Sequence, residues 1–265
     1  VSKLNVSKQG KTFKSAEDVQ SEMAAINALA KAELTPEEVY VFSVLLCDNE
    51  VDRDFERFTE DTLEGLSKLF VGATGIFDHT WSAGLQKARI YRTELLTDAA
   101  AQNTLSAPYL YLKGYAYMLR TEQNAELITE IEGGIKRETS VGCSVAQSLC
   151  SICGKELGSS GCSHIRGRTY DGKLCFAELS GAVDAYEWSF VAVPAQRRAG
   201  VMKCYAGEDC ECLKQYFEDL QAFEKRMDDQ ILKLERLIEE FKPKEAPPQT
   251  NNKKFFNFVG GTHEK

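Results

Sequence analysis

Apolar positions change period along this chain, and each change marks a different kind of element. Ser15 and Asp18 have N-cap character, and Val19, Met23, Ile26, Leu29 and Ala30 then fall near one face of a helix over residues 16–32. Thr35-Pro36-Glu37-Glu38 predicts a short helical turn with proline at its first position. Tyr40 to Leu46 is a β-rich run that ends in the polar stretch from Cys47 to Phe58, and Thr62 to Phe70 returns to a helical period. β-branched and aromatic residues predict strands over Ala88–Thr93 and Tyr109–Leu119. Leu127, Ile128 and Ile131 define a helix over Glu122–Glu132, stopped by Gly133-Gly134. Further strands are expected at Thr139–Ala146, Cys175–Leu179 and Glu187–Val193, the last ended by Pro194. The central part is therefore β-rich with a few helices, without internal repeats.

After Cys212 the pattern becomes strongly helical. Tyr216, Leu220, Phe223, Met227, Ile231, Leu234, Ile238 and Phe241 recur at steps of three and four with charges between them. A helix is expected over 213–242, of which Leu213–Phe241 would be roughly 43 Å long, and its heptad-like stripe suits either coiled-coil pairing or docking on the parent domain. Residues 243–265 read as a flexible linker containing Pro243, Pro247 and Pro248, followed by a tail carrying Phe255, Phe256, Phe258 and Val259.

Composition narrows the function classes. At 265 residues the chain can bury one sizeable core with a small satellite element. A formal net charge of -8 argues against general nucleic-acid binding, which needs concentrated Lys and Arg. No apolar run reaches the length of a membrane span, and the first residues lack a signal-peptide core, so an intracellular, membrane-free protein is expected. Nine cysteines are unusual for a disulfide network in a reducing compartment. Cys47, Cys143, Cys175 and Cys204 sit in or beside apolar stretches and read as small core hydrophobes.

Cys150, Cys153, Cys162 and His164 form a Cys-x2-Cys pair followed by Cys-x-His, a pattern that predicts a structural zinc site within an insert over 147–172. The Cys-x2-Cys turn brings two sulfurs to one ion, and Gly154 helps the turn form. Three thiolates and an imidazole fill a tetrahedral shell, leaving no position for a reactive water, so the expected role is to staple a polar loop.

Of three histidines, His164 is assigned to metal and His263 to the tail, which leaves His79 in GATGIFDH as the candidate imidazole base. Ser140, Cys143 and Ser144 in KRETSVGCSV are the nearest candidate nucleophiles. Glu187, which opens EWSFVAVPAQ, and Asp184 compete for the role of orienting the base.

The segments LLCDNEVDRDFERF, GATGIFDH, YAYMLRTEQN, KRETSVGCSV and DAYEWSFVAVPAQRRAG, in this order over about residues 38–202, resemble the tailed-bacteriophage prohead protease family, in particular prophage-borne members with a CxxCG insert. The resemblance implies a serine endopeptidase with Ser140 of Ser140-Val141-Gly142 as nucleophile, His79 as base and Glu187 as the third member. It departs from the family at Cys143, where an aromatic residue is usual. The fold it implies is mostly β with flanking helices, α+β in class, with an assemblin-like barrel core over 38–203. An N-terminal helical segment over 1–37 would precede that core, and the zinc insert would interrupt it. The expected partners are a major capsid protein, scaffold or scaffold-like segments and further copies of the chain, inside procapsids assembling in the bacterial host cytoplasm. A non-catalytic structural or scaffolding protein that keeps the fold is the competing expectation.

Overall fold

The computed structural model describes residues 16–202, together with Arg226, Gln230 and Lys233. The chain divides into two units, Val1–Glu211 and Cys212–Lys265. Arg226, Gln230 and Lys233 of the second unit are helical, whereas the rest of the 213–242 helix, the 243–265 linker and tail, and Cys204 lie outside the described residues.

Helix α1, Ala16–Leu29, buries Met23 and Ile26 against Val39, Val41 and Tyr91. It stops short of the expected residue 32 because Asn27 bonds both backbone groups of Leu34, folding the chain back. Residues 36–38 form a turn instead of a helix. The Glu38 side chain accepts from the Thr35 amide, and the Glu38 amide donates to the Thr35 carbonyl.

A mixed eight-stranded sheet follows. Its strands are β1 (Val39–Asp48), β2 (Glu56–Phe58), β3 (Thr74–Phe77), β4 (Ala88–Gln102), β5 (Pro108–Leu119), β6 (Thr139–Cys150), β9 (Ala177–Phe190) and β10 (Gly200–Met202). The order is β10-β1-β5-β4-β3-β9-β2, with β6 on the other side of β9. β2 and β3 run parallel to β9, and the remaining pairs are antiparallel. A bridge between Glu138 and Gly200, with Thr139 N–H donating to Ala199 O, joins the β6 edge to the β10 edge. A two-stranded ribbon, β7 (Thr169–Tyr170) with β8 (Lys173–Leu174), lies in the insert. The coarse expectation of a mostly β, α+β protein with a few helices is met.

The core gathers Phe42, Leu63, Phe70, Ile90, Trp188 and Phe190, covered by helices α2 (Glu60–Leu69) and α3 (Glu122–Glu132). Trp188 is fully buried, and Gly75 on the neighbouring strand makes room for it, since a Cβ there would overlap the indole. Truncating such a side chain to alanine costs about 3–5 kcal/mol. Among the described residues, no helix is long and apolar enough to cross a membrane.

Two strand boundaries depart from expectation for a common reason. Cys175–Leu179 and Glu187–Val193, read separately, belong mainly to the single strand β9. Between them the β6–β9 ribbon carries two register shifts, which leave Val183 and Tyr186 outside the pairing while the strand runs on through Gly181 at φ 75°. Likewise β4 continues past Thr93 to Gln102, with Ala99-Ala100-Ala101 standing outside the register between the Asp98–Tyr109 and Gln102–Pro108 pairs.

Candidate active site and metal centre

Strand β9 organises the first site. Side chains alternate across a strand, so Trp188 and Phe190 enter the core while Glu187 and Ser189 share the opposite face. Pairing with β6 sets Ser140 opposite Ser189 and Gly142 opposite Glu187, so these four residues share a face while Val141 turns toward the core with Trp188. On the other flank, β3 runs parallel to the end of β9 with Phe77 beside Phe190. The chain then turns sharply, Thr80 N–H donating to Phe77 O, with Asp78 and His79 both at positive φ (50° and 52°). This left-handed pair brings His79 back over β9.

His79 Nδ1 lies 2.7 Å from Glu187 Oε1. Ser189 Oγ donates to Glu187 Oε2 at 2.7 Å and accepts the backbone N–H of His79 at 3.0 Å. The hydroxyl has one proton, so accepting the amide hydrogen leaves that proton for the carboxylate. With Nδ1–H donating to Glu187, Nε2 of the neutral ring is the free acceptor. The Glu187 side chain is 3% exposed and that of His79 is 42% exposed, so a buried acid holds an accessible base.

Ser140 and His79 line one cavity of about 690 Å³, together with Gly142, Cys143 and residues of the 52–56 and 193–199 segments. Gln196 secures one wall by bonding both backbone groups of Asp48, and Arg53 secures it again through Pro194 O and Ala195 O. Ser140 Oγ makes no hydrogen bond among the described residues. Cys143 also faces the cavity, but burial, followed by the charges of Glu56 and Glu187, pushes its thiol up to about 11. At neutral pH it is a protonated thiol, a poor starting point for a thiolate nucleophile. Ser144 is not among the cavity residues. Asp184 pairs with Ser144 on the ribbon and caps the Ala185 amide, whereas Glu187 bonds the imidazole.

The second cluster lies at the far end of the same ribbon. Ligand atoms of Cys150, Cys153, Cys162 and His164 all fall within 4.8 Å of one another, a set able to hold a metal ion and compatible with structural zinc. Cys153 and Cys162 sulfurs are 3.7 Å apart, and Cys162 Sγ is 3.8 Å from His164 Nδ1. The Cys-x2-Cys turn is closed by Gly154 N–H donating to Cys150 O, with Gly154 at φ 69°. Cys150 is the last residue of β6, so residues 147–149 belong to that strand and the loop begins later than the expected 147. His164 packs its ring edge-on against Tyr170 at 4.6 Å.

The sequence alone gives Ser189 no role, although its signal is present: it stands two residues after Glu187 in a strand, hence on the same face. Cys175, read as a core hydrophobe, is indeed fully buried, but its sulfur lies 3.8 Å from that of Cys150. Neither protein-family models, curated proteins nor solved structures provide a match to this chain.

Proposed function

We propose that this protein is a serine endopeptidase of the prohead-protease type, with an assemblin-like barrel core and a structural zinc staple. The observation that carries the reading is the buried Glu187 bonded to His79 Nδ1, which leaves Nε2 as the acceptor beside a cavity that Ser140 also lines. His79 takes the proton of Ser140 as its oxygen attacks a peptide carbonyl, and Glu187 stabilises the resulting imidazolium. The protonated imidazole then passes its proton to the leaving amine. Water, activated by the same base, hydrolyses the acyl-enzyme and restores Ser140. Ser189 positions both partners by tying the carboxylate to the backbone of the base.

Substrates in this reading are scaffold segments, capsid-protein extensions or the chain itself, cut inside procapsids assembling in the host cytoplasm. The heptad-like stripe from Tyr216 to Phe241 supports self-association or pairing with scaffold-like helices. Co-incubation of the purified protein with its capsid and scaffold proteins tests the chemistry. Defined fragments that disappear with Ser140→Ala and with His79→Ala support it; unchanged cleavage by Ser140→Ala removes Ser140 from the mechanism.

The absence of a hydrogen bond from Ser140 Oγ favours a second reading, a non-catalytic assembly protein that keeps the fold. Catalytic hydrogen bonds often tighten only when substrate binds, so the geometry is compatible with both. Assembly that proceeds normally with Ser140→Ala, with no fragments from the unsubstituted protein, selects the second.

A further inference from the structure

Beside the four-donor cluster of Cys150, Cys153, Cys162 and His164 lies a further sulfur, that of Cys175, in contact with one of the four. Cys175 is fully buried, and its sulfur sits 3.8 Å from Cys150 Sγ. Two thiolates on one tetrahedral zinc, each bonded at about 2.3 Å, stand about 3.8 Å apart. The Cys153–Cys162 separation of 3.7 Å has the same character. Cys175 is held where it is by two backbone bonds, its N–H donating to Arg168 O and its carbonyl accepting from Gly167 N–H, both 2.8 Å. It thus sits in the extended stretch between β8 and β9, fixed in place beside the end of β6 that carries Cys150. By contrast, His164 is carried on a loop and presents a ring that also packs on Tyr170.

We infer that Cys175 is a fifth donor of this centre and takes the fourth coordination position whenever His164 leaves it. The exchange breaks one metal–nitrogen bond and forms one metal–sulfur bond, and the thiol proton of Cys175 passes to solvent. Its structural consequence is direct. Cys150 ends β6, and its partner in the ribbon is Ala177, two residues beyond Cys175. A metal held by both sulfurs ties together the ends of the strands that carry Ser140 and Glu187, whether or not the 162–166 loop is engaged. The inference rests on the zinc reading above.

Cobalt substitution in the full chain tests it, because the charge-transfer absorption of Co²⁺ rises with each bound thiolate. His164→Phe retains the ring against Tyr170 while removing the nitrogen donor. The expected result is a folded variant that binds one Co²⁺ with charge-transfer intensity about one third above that of the three-thiolate form, the fourth thiolate adding to three. Adding Cys175→Ser should return the intensity to the three-thiolate level and weaken binding at least tenfold. A His164→Phe protein that shows three-thiolate absorption insensitive to Cys175→Ser overturns the inference, and so does one that loses the metal. Cys175 would then be a buried thiol donating to the Cys150 sulfur. Failure of the zinc reading itself shows differently, as an unsubstituted protein that binds no Co²⁺.

Discussion

Gly142 stands directly opposite Glu187 across the β6–β9 ribbon, and the missing side chain is what lets the carboxylate lie between the strands and reach His79. A Cβ at 142 would overlap Glu187 Oε1, the oxygen that holds the imidazole. The glycine is needed here for space, since its φ is not positive.

Gly142→Ala should therefore damage the site more than the fold. Overpacking of this kind costs about 1–3 kcal/mol. Displacing the base by about 1 Å costs on the order of 10²-fold in rate for a positioned catalytic group. The check is joint: urea unfolding for the modest loss, cleavage assays for the large one, and loss of the low-field imidazole N–H signal in proton NMR. A variant that keeps the signal and full cleavage would show that Glu187 does not depend on this gap.

Much of this arrangement was legible in the sequence because it depends on period and order. Ser140 and Glu187 fall within predicted strands, His79 is what remains once the other two histidines are assigned, and the Cys-x2-Cys…Cys-x-His spacing marks the metal cluster. What stayed hidden depends on pairing between distant segments. The union of two predicted strands into β9 follows from its continuous pairing with β6, which absorbs two register shifts, at Val183 and Tyr186, that local propensity does not encode. The choice of Glu187 over Asp184 follows from the β3–β9 alignment, which no single segment encodes. Cys175 had the composition of a core residue; only its position 25 residues after Cys150, closed by the ribbon, makes it a neighbour of the cluster.

Ser189 links acid and base through a single hydroxyl. Ser189→Ala leaves one buried carboxylate oxygen and one backbone N–H without that partner, a loss of about 1–3 kcal/mol. Thermal or urea unfolding should show a destabilisation in that range, and cleavage should fall with kcat more than with KM, since substrate does not touch Ser189 in the proposed mechanism. An equal change in KM alone would assign Ser189 to substrate binding instead.

Asp48 gives the fold a pH dependence of defined sign. It is 1% exposed, and burial, opposed by hydrogen bonds from Tyr109 and the Glu50 amide, raises its carboxyl to about 6. The folded state thus holds this proton where the unfolded chain, titrating near 3.8, has released it. The contribution of Asp48 to stability is then fully present below about pH 4 and falls as pH rises toward 6, by roughly 2–3 kcal/mol. Urea unfolding of the native protein and Asp48→Asn between pH 4 and 7 isolates this term: the native protein should lose stability relative to the variant as pH increases. A difference that is flat across the range, or of opposite slope, contradicts the assignment.

Metal removal should act locally first. The loop from Ser151 to Leu174 contributes few buried apolar side chains, so its order depends on the ligands at its ends and centre. Chelation is expected to raise amide hydrogen exchange across 151–174 while β1 and β5, buried in the core, keep their protection. Unchanged exchange in the loop after verified metal loss would mean that hydrogen bonds and packing hold it without the ion.

The turn that delivers His79 stores strain that should trade against activity. Asp78 and His79 both occupy the left-handed region, which costs L-residues about 1–2 kcal/mol apiece, less for aspartate. The Asp78 side chain makes no hydrogen bond among the described residues, so Asp78→Gly removes strain without breaking a side-chain contact. Its expected effect is a stabilisation of up to about 1 kcal/mol, reduced by the extra freedom of glycine in the unfolded chain. The same freedom loosens the backbone on which the imidazole is carried, so cleavage should decline although stability rises. Thermal unfolding and cleavage measured on one preparation give both signs. A variant that is less stable and equally active would show that the turn is already relaxed with aspartate and that His79 is held by Glu187 and Ser189 alone.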